Sequence, residues 1–258
     1  VWVRPTAPVH RLCANGCANS GGNDTMKSAV MPSSGPTGRL LCRPHDLLWI
    51  AGREAFISRE PLPSWVDSWW HGDLPVVVRR DDRKNGLIPI GIRGKTRAER
   101  AAAWISPESV RKIISPESLV SDTGKLATSP FANTRPVQAL LHLAKWMETW
   151  HWGVTGSCGY ALATGTPVMH DDSDLDLLIR CPEPVNPAIF EELAGKLAAL
   201  PCRTDIQIET PTGAFALQEW LRRRGEGTGC RILLKTDHGP ILTTDPWRSV
   251  QPAKREIS

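Results

Sequence analysis

Asp174 and Asp176 stand two residues apart in the run Ser173-Asp174-Leu175-Asp176-Leu177-Leu178-Ile179. The apolar positions around them give the run a strand character, and on a strand residues i and i+2 project from one face. Two carboxylates side by side repel each other and lose hydration unless a cation joins them. Mg²⁺ (or Mn²⁺) suits that place, because it takes a few carboxylate oxygens and completes its shell with water and substrate phosphates. Asp205 opens the next alternating segment, Thr204 to Glu209, and supplies a third carboxylate. Two ions held this way stabilise both the attacking and the leaving oxygen of an in-line displacement at phosphorus. Asp174, Asp176 and Asp205 are therefore the candidate catalytic and metal-binding residues. Taken alone, an Asp-x-Asp pair has a plainer reading, a strand end with two solvated acids.

Gly156-Ser157 follows a short predicted strand and precedes a helical segment, Cys158 to Ala163. Glycine admits a phosphate close to the backbone, and a helix N-terminus favours an anion. Ser157 adds a hydroxyl donor. Arg93, inside Gly91-Ile92-Arg93-Gly94, is the candidate phosphate clamp, since a guanidinium holds phosphate through two parallel donors. Lys95 and Arg97 follow it; the alternative for all three is a solvated basic turn. Arg79 and Arg80 end a strand, where alternation either turns one to a cleft and the other to water or leaves both as solvated charges. His45 is a candidate for the substrate cleft, while the neighbouring Asp46 reads as the cap of a helix starting at Leu47. Arg222-Arg223-Arg224 either complements a helix dipole or forms a docking patch for an acidic protein. Cys158 and most of the eleven Trp read as packing residues.

These groups need elements to hold them. Pro75–Arg80 and Gly86–Arg93 read as strands from their Val and Ile content. Ser64–His71 reads as a short Trp-rich helix. Thr96–Ile105 reads as a helix with Thr96 as cap and Glu99 completing a capping box, and Ser106-Pro107 opens another. In the second half the spacing predicts a helix over 135–150, strands over 152–155 and 174–181, and a helix from Pro187 to Leu200 capped by Asn186. A strand over 204–209, a helix over 213–224 and a hairpin around Asp237-His238-Gly239 complete the order. The class is α/β (α+β). A mixed sheet flanked by helices is expected at residues 131–258, with a smaller α/β domain at 39–130 and a Gly-, Ser- and Pro-rich tail at 1–38 that buries nothing. The chain begins with Val1 and the next Met are Met26 and Met31, so the working protein is expected to begin near Met31.

The 258 residues carry a net charge of +4, too little for a committed nucleic-acid binder, so no nucleic acid is expected as partner. The longest uncharged stretch, Gly153 to Met169, is full of Gly, Ser and Thr, which is poor material for a membrane span and good material for turns, so no membrane is expected as partner. Seven scattered cysteines form no zinc set, and reduced thiols in a cytoplasmic protein are the expectation.

The order helix, strand, Gly-Ser, Asp-x-Asp strand, helix, Asp-bearing strand resembles the DNA polymerase beta-like nucleotidyltransferase superfamily. One departure is the sixteen residues between Ser157 and Asp174, which lengthen the turn at Gly165–Asp172 beyond the usual. That turn either binds substrate or loosens the metal geometry. A closer resemblance rests on Arg43-Pro44-His45-Asp46-Leu47-Leu48-Trp49, Pro75-Val76-Val77-Val78-Arg79-Arg80 and Gly91-Ile92-Arg93-Gly94. To these are added Gly156-Ser157-Cys158-Gly159-Tyr160-Ala161-Leu162, Ser173-Asp174-Leu175-Asp176-Leu177 and Glu209-Thr210-Pro211. Together these runs are similar to malonate decarboxylase holo-[acyl-carrier-protein] synthase, also called phosphoribosyl-dephospho-CoA transferase. The resemblance implies 2′-(5″-triphosphoribosyl)-3′-dephospho-CoA as donor, a serine of the apo acyl carrier protein subunit of malonate decarboxylase as acceptor, and release of pyrophosphate. The alternatives are a nucleotidyltransferase with another small-molecule or protein acceptor, and an inactive binding module.

Overall fold

The computed structural model describes residues 42–96, 98–225 and 229–248. The expected tail at 1–38 lies outside them, as do Arg97, Cys13 and Cys17.

The first sheet contains β1 (Leu47–Ile50), β2 (Val76–Val78), β3 (Ile88–Arg93), β4 (Arg100–Ile105) and β5 (Val110–Ile114), in the order β4-β3-β2-β1-β5, every pair antiparallel. Helix α1 (Ser64–Trp69) lies between β1 and β2 in the chain and closes one core through Val66, with Trp70 just beyond its end. Leu48, Val76, Ile90 and Ile92 fill that core from the strands.

After α2 (Thr123–Ala127) and α3 (Arg135–Trp146), the second sheet begins. It is built from β6 (Trp152–Val154), β7 (Leu175–Arg180), β8 (Thr204–Thr210), β9 (Gly213–Ala216), β10 (Ile232–Thr236) and β11 (Gly239–Thr243), in the order β11-β10-β9-β8-β7-β6. Only β7 and β8 run parallel, joined by the crossover helix α5 (Pro187–Leu197). Helices α4 (Gly156–Thr164) and α6 (Leu217–Gly225) complete the helical layer. Leu175, Leu177 and Ile179 of β7 and Ile206 and Ile208 of β8 point into one core with Phe190 and Phe215. Because strand side chains alternate, the other face of β7 and β8 is left for polar chemistry. The mixed α+β character expected from the sequence is what the chain forms.

Several local expectations are corrected. Thr96–Ile105 is not a helix: residues 100–105 are β4, paired to β3 from Arg93↔Arg100 to Ile88↔Ile105. The three alanines at 101–103 favour a helix locally, but β3 offers a full ladder and a core for Ala103 and Ile105. Half of the capping box survives, Thr96 N donating to Glu99 Oε2 at 2.8 Å, within a turn that Gly94 N closes on Glu99 O at 2.9 Å. Leu47 starts β1 rather than a helix, and Asp46 instead accepts from Arg43 N at 2.8 Å while only 3 % exposed. Ser106-Pro107 opens a single 3₁₀ turn before β5. Gly213–Ala216 pairs with β8, so the helix starts only at Leu217. The other predicted strands and helices form, with ends shifted by a few residues.

Among the described residues, no helix is long and apolar enough to cross a membrane. The five described cysteines are free, and burial pushes the Cys158 thiol up to about 12.

Candidate active site

The parallel pair places Asp176 directly beside Asp205 and Arg180 beside Glu209. Partners in register share a face, so the carboxylates of β7 and β8 stand on the side of the sheet away from the helical core. Asp174 immediately precedes β7 on the same alternation. Its Oδ2 accepts from Arg203 Nη2 at 2.8 Å, and the same nitrogen lies 3.6 Å from Asp205 Oδ2. Arg203 thus supplies the positive charge between two of the three acids. Among the described residues no three Asp, Glu, His or Cys side chains gather closely enough to hold an ion as they stand. In kind the donors fit a hard divalent cation, which prefers carboxylate oxygens, and the register fits their serving one site.

Asp176 is fixed from behind. Thr155 N donates to Asp176 O at 2.9 Å, and α4 then starts at Gly156 with φ +63°. A Cβ at position 156 would stand 1.8 Å from Asp176 Oδ2, so the carboxylate occupies the space a side chain would need. Ser157 sits in the first turn of α4, half-buried.

Between the two sheets lies a cavity of about 650 Å³. Its walls include Leu47, Val77 and Ile92 on one side and Val154, Gly156 and Gly159 on the other, with Asp176 at the border. Three arginines, Arg79, Arg93 and Arg100, line it. Arg93 stacks over the ring of Tyr160 with Cζ 5.3 Å from the centroid. Its Nε is buried and has no hydrogen-bond partner among the described residues. Burial, with Arg100 nearby, pulls the Arg93 pKa down, while Tyr160 and Asp176 oppose the shift. Burial pushes the Tyr160 hydroxyl up to about 12, so it is a neutral donor.

His45 carries φ +76°, uncommon for a residue with a side chain. That conformation aims its imidazole across to the second sheet, where Nε2 lies 3.1 Å from Gln207 Oε1. Burial lowers its pKa to about 4 against the opposing Gln207 contact, so the ring is neutral near pH 7. With the amide oxygen as acceptor, Nε2 carries the proton and Nδ1 is left as the acceptor nitrogen. Of the candidates, His45, Arg93, Gly156 and Asp176 line this cavity together; Ser157, Asp174 and Asp205 do not. Lys95 is exposed on the turn between β3 and β4, away from the lining.

Sequence reasoning missed four contributors: Arg203, Tyr160, Gln207 and a buried ionic cluster. In the cluster Arg180, 6 % exposed, has Nε 2.8 Å from Glu117 Oε1 and Nη1 2.5 Å from Glu209 Oε1. Arg80 Nη2 adds a contact to Glu209 Oε2 at 3.1 Å, tying the first sheet to the second. Burial alone would raise the Glu117 carboxyl, but Arg180 outweighs it and holds it below the usual range. An arginine inside the apolar run Leu177-Leu178-Ile179-Arg180 was the available signal, because a charge there requires a buried partner.

Two family profiles match the chain: the phosphoribosyl-dephospho-CoA transferase MdcG N-terminal domain over residues 43–116 and the MdcG C-terminal domain over residues 125–246. Similar curated proteins carry the name phosphoribosyl-dephospho-CoA transferase. One from Klebsiella pneumoniae is 49% identical over 206 residues, which cover 80% of this chain and 96% of the relative. Others from Pseudomonas putida and Azotobacter vinelandii are 40% and 39% identical over 213 residues, 82% of this chain in each case and 98% and 97% of the relatives. No solved structure matches.

Proposed function

We propose a reaction for this chain from its membership: it belongs to the phosphoribosyl-dephospho-CoA transferase family, and it is a transferase. The donor in this reading is 2′-(5″-triphosphoribosyl)-3′-dephospho-CoA. The acceptor is a serine hydroxyl of the apo acyl carrier protein subunit of malonate decarboxylase, in the cytoplasm. The serine oxygen bonds to the phosphorus next to the ribose as the bond from that phosphorus to the bridging oxygen breaks. Pyrophosphate leaves, and the serine proton passes to a carboxylate.

Asp174 and Asp176 would hold Mg²⁺ or Mn²⁺, and Asp205 would either share the ligation or accept the serine proton. The cation, when bound, neutralises charge on the phosphate oxygens and the departing pyrophosphate. Arg203, paired with Asp174, would have to give up that carboxylate for the cation to take it. Gly156 brings the N-terminus of α4 to the cavity that takes the phosphates, where a helix N-terminus favours an anion, and Ser157 follows it with a hydroxyl donor. Arg93 and Arg100 stabilise the charge that grows on the leaving group. Lys95, exposed on its turn, contributes only longer-range positive charge.

The observation that carries this reading is the Asp176–Asp205 register at the edge of an arginine-lined cavity. The test is mass spectrometry of the apo carrier after incubation with the donor, a divalent cation and this protein. A gain equal to one phosphoribosyl-dephospho-CoA group on a serine is expected. Turnover of the donor with no gain on the carrier assigns another acceptor.

A further inference from the structure

A second cavity, of about 360 Å³, adjoins the first. Four residues line both: His45, Thr155, Asp176 and Gln207. The wall between the two is therefore the His45–Gln207 bridge together with the candidate metal ligand Asp176.

The two cavities differ in charge. The larger has Arg79, Arg93 and Arg100 against Asp176 alone; the smaller has Asp176 and Asp205 against Lys235. A polyphosphate is drawn to the arginines of the first. A hydroxyl that must lose its proton is served by the second. In-line displacement also requires nucleophile and leaving group on opposite sides of the phosphorus, as two cavities flanking one carboxylate provide.

Beyond the smaller cavity the same face of the sheet is exposed at Lys235, Leu233 and Leu242. The register steps from Gln207 to Ala216 on β9, from Ala214 on β9 to Lys235 on β10, and from Leu233 on β10 to Leu242 on β11. All lie on the face that carries Asp176. The strip ends in two exposed leucines directly opposite each other, Leu233 and Leu242, the latter 57 % exposed. Two facing leucines at the end of a polar strip offer an apolar contact to a protein surface.

We propose that the cavities divide the two substrates: the larger takes the triphosphate end of the donor, and the smaller takes the acceptor serine. The strip from Lys235 to Leu233 and Leu242 seats the protein that presents it. This division rests on the transfer reaction proposed above, and the chemistry then occurs at the shared wall.

The test uses the full chain with each substrate varied in turn, together with calorimetric binding of triphosphoribosyl-dephospho-CoA in the absence of carrier. Arg93→Gln should raise the donor KM and donor Kd at least tenfold with the carrier KM unchanged. Leu242→Glu, on an exposed site remote from the chemistry, should raise the carrier KM about tenfold with donor binding unchanged. The inference is overturned if Arg93→Gln binds donor like the parent, or if Leu242→Glu leaves the carrier KM unaltered while transfer proceeds. Absence of any transfer to the carrier, with donor binding still lost in Arg93→Gln, would remove the acceptor and the strip's role and keep the donor cavity.

Discussion

The carboxylate of Asp176 rests against the bare α-carbon of Gly156, its Oδ2 only 1.8 Å from where a Cβ would stand. Strand β7 and the first turn of α4 thus interlock through the one residue type that permits it. Gly156→Ala must both move that carboxylate and keep φ near +63°. A loss of about 1–2 kcal/mol in denaturant unfolding is expected from the backbone alone, and a transfer rate reduced at least a hundredfold from the displaced carboxylate. An alanine variant with the parent's rate would show that Asp176 need not sit there.

Transfer should require a divalent cation, stop on chelation and return on adding Mg²⁺ or Mn²⁺. Asp176→Asn keeps the shape of the side chain and loses its charge. It should cut the rate about a thousandfold, the scale of losing one electrostatic stabiliser of the transition state, with the circular dichroism spectrum unchanged. Full activity in a chelator would remove the metal from the mechanism.

Arg203 competes with a cation for Asp174 and Asp205. Its side chain is largely exposed, so the competition is screened and the effect is modest. Arg203→Gln should bind Mn²⁺ a few-fold more tightly, read by calorimetry on the protein alone. Weaker binding would make Arg203 a support of the site and not a competitor for it.

The adjacent residues His45 and Asp46 give opposite pH dependences of stability. Burial depresses His45 from 6.5 to about 4, so its unfolded form binds more protons between those values and stability is lost as pH falls through that window. Burial raises Asp46 from 3.8 to about 6, so its folded form binds more protons and stability is lost as pH rises through that window. Each masks the other in the parent. Urea unfolding from pH 4 to 7 should show Asp46→Asn losing stability on acidification, and His45→Gln losing it on alkalinisation. Parallel curves for both variants and the parent would refute the two shifts.

Glu209 touches both Arg180 and Arg80 in a largely buried cluster. Glu209→Ala leaves those charges without it, which should cost about 3 kcal/mol in urea unfolding. Lys196→Ala, which removes the exposed partner of Glu192 on α5, should leave the midpoint where it was.

By itself the sequence determined the elements whose local signals and tertiary partners agree. Val76–Val78 and Ile88–Arg93 are β-branched runs, and Asn186 caps α5 by accepting from Ala188 N at 3.1 Å. The Asp-x-Asp spacing put two carboxylates on one face because strand alternation is a local rule. Gly156 was legible as a glycine that permits close approach before a helix, and the group that approaches it in the folded chain is the Asp176 carboxylate. Tertiary structure decided what depends on non-local partners. The alanines of β4 became a strand because β3 supplied the ladder. Leu47 became a strand because Val77 and Ile114 flank it. Arg203, Tyr160 and Gln207 gained their roles from residues far along the chain, across Asp174, Arg93 and His45. Local propensity amounts to tenths of a kcal/mol per residue, and pairing and burial in the assembled sheets exceed it. Residue types could therefore name the chemistry, while the folded chain set which charges line each cavity.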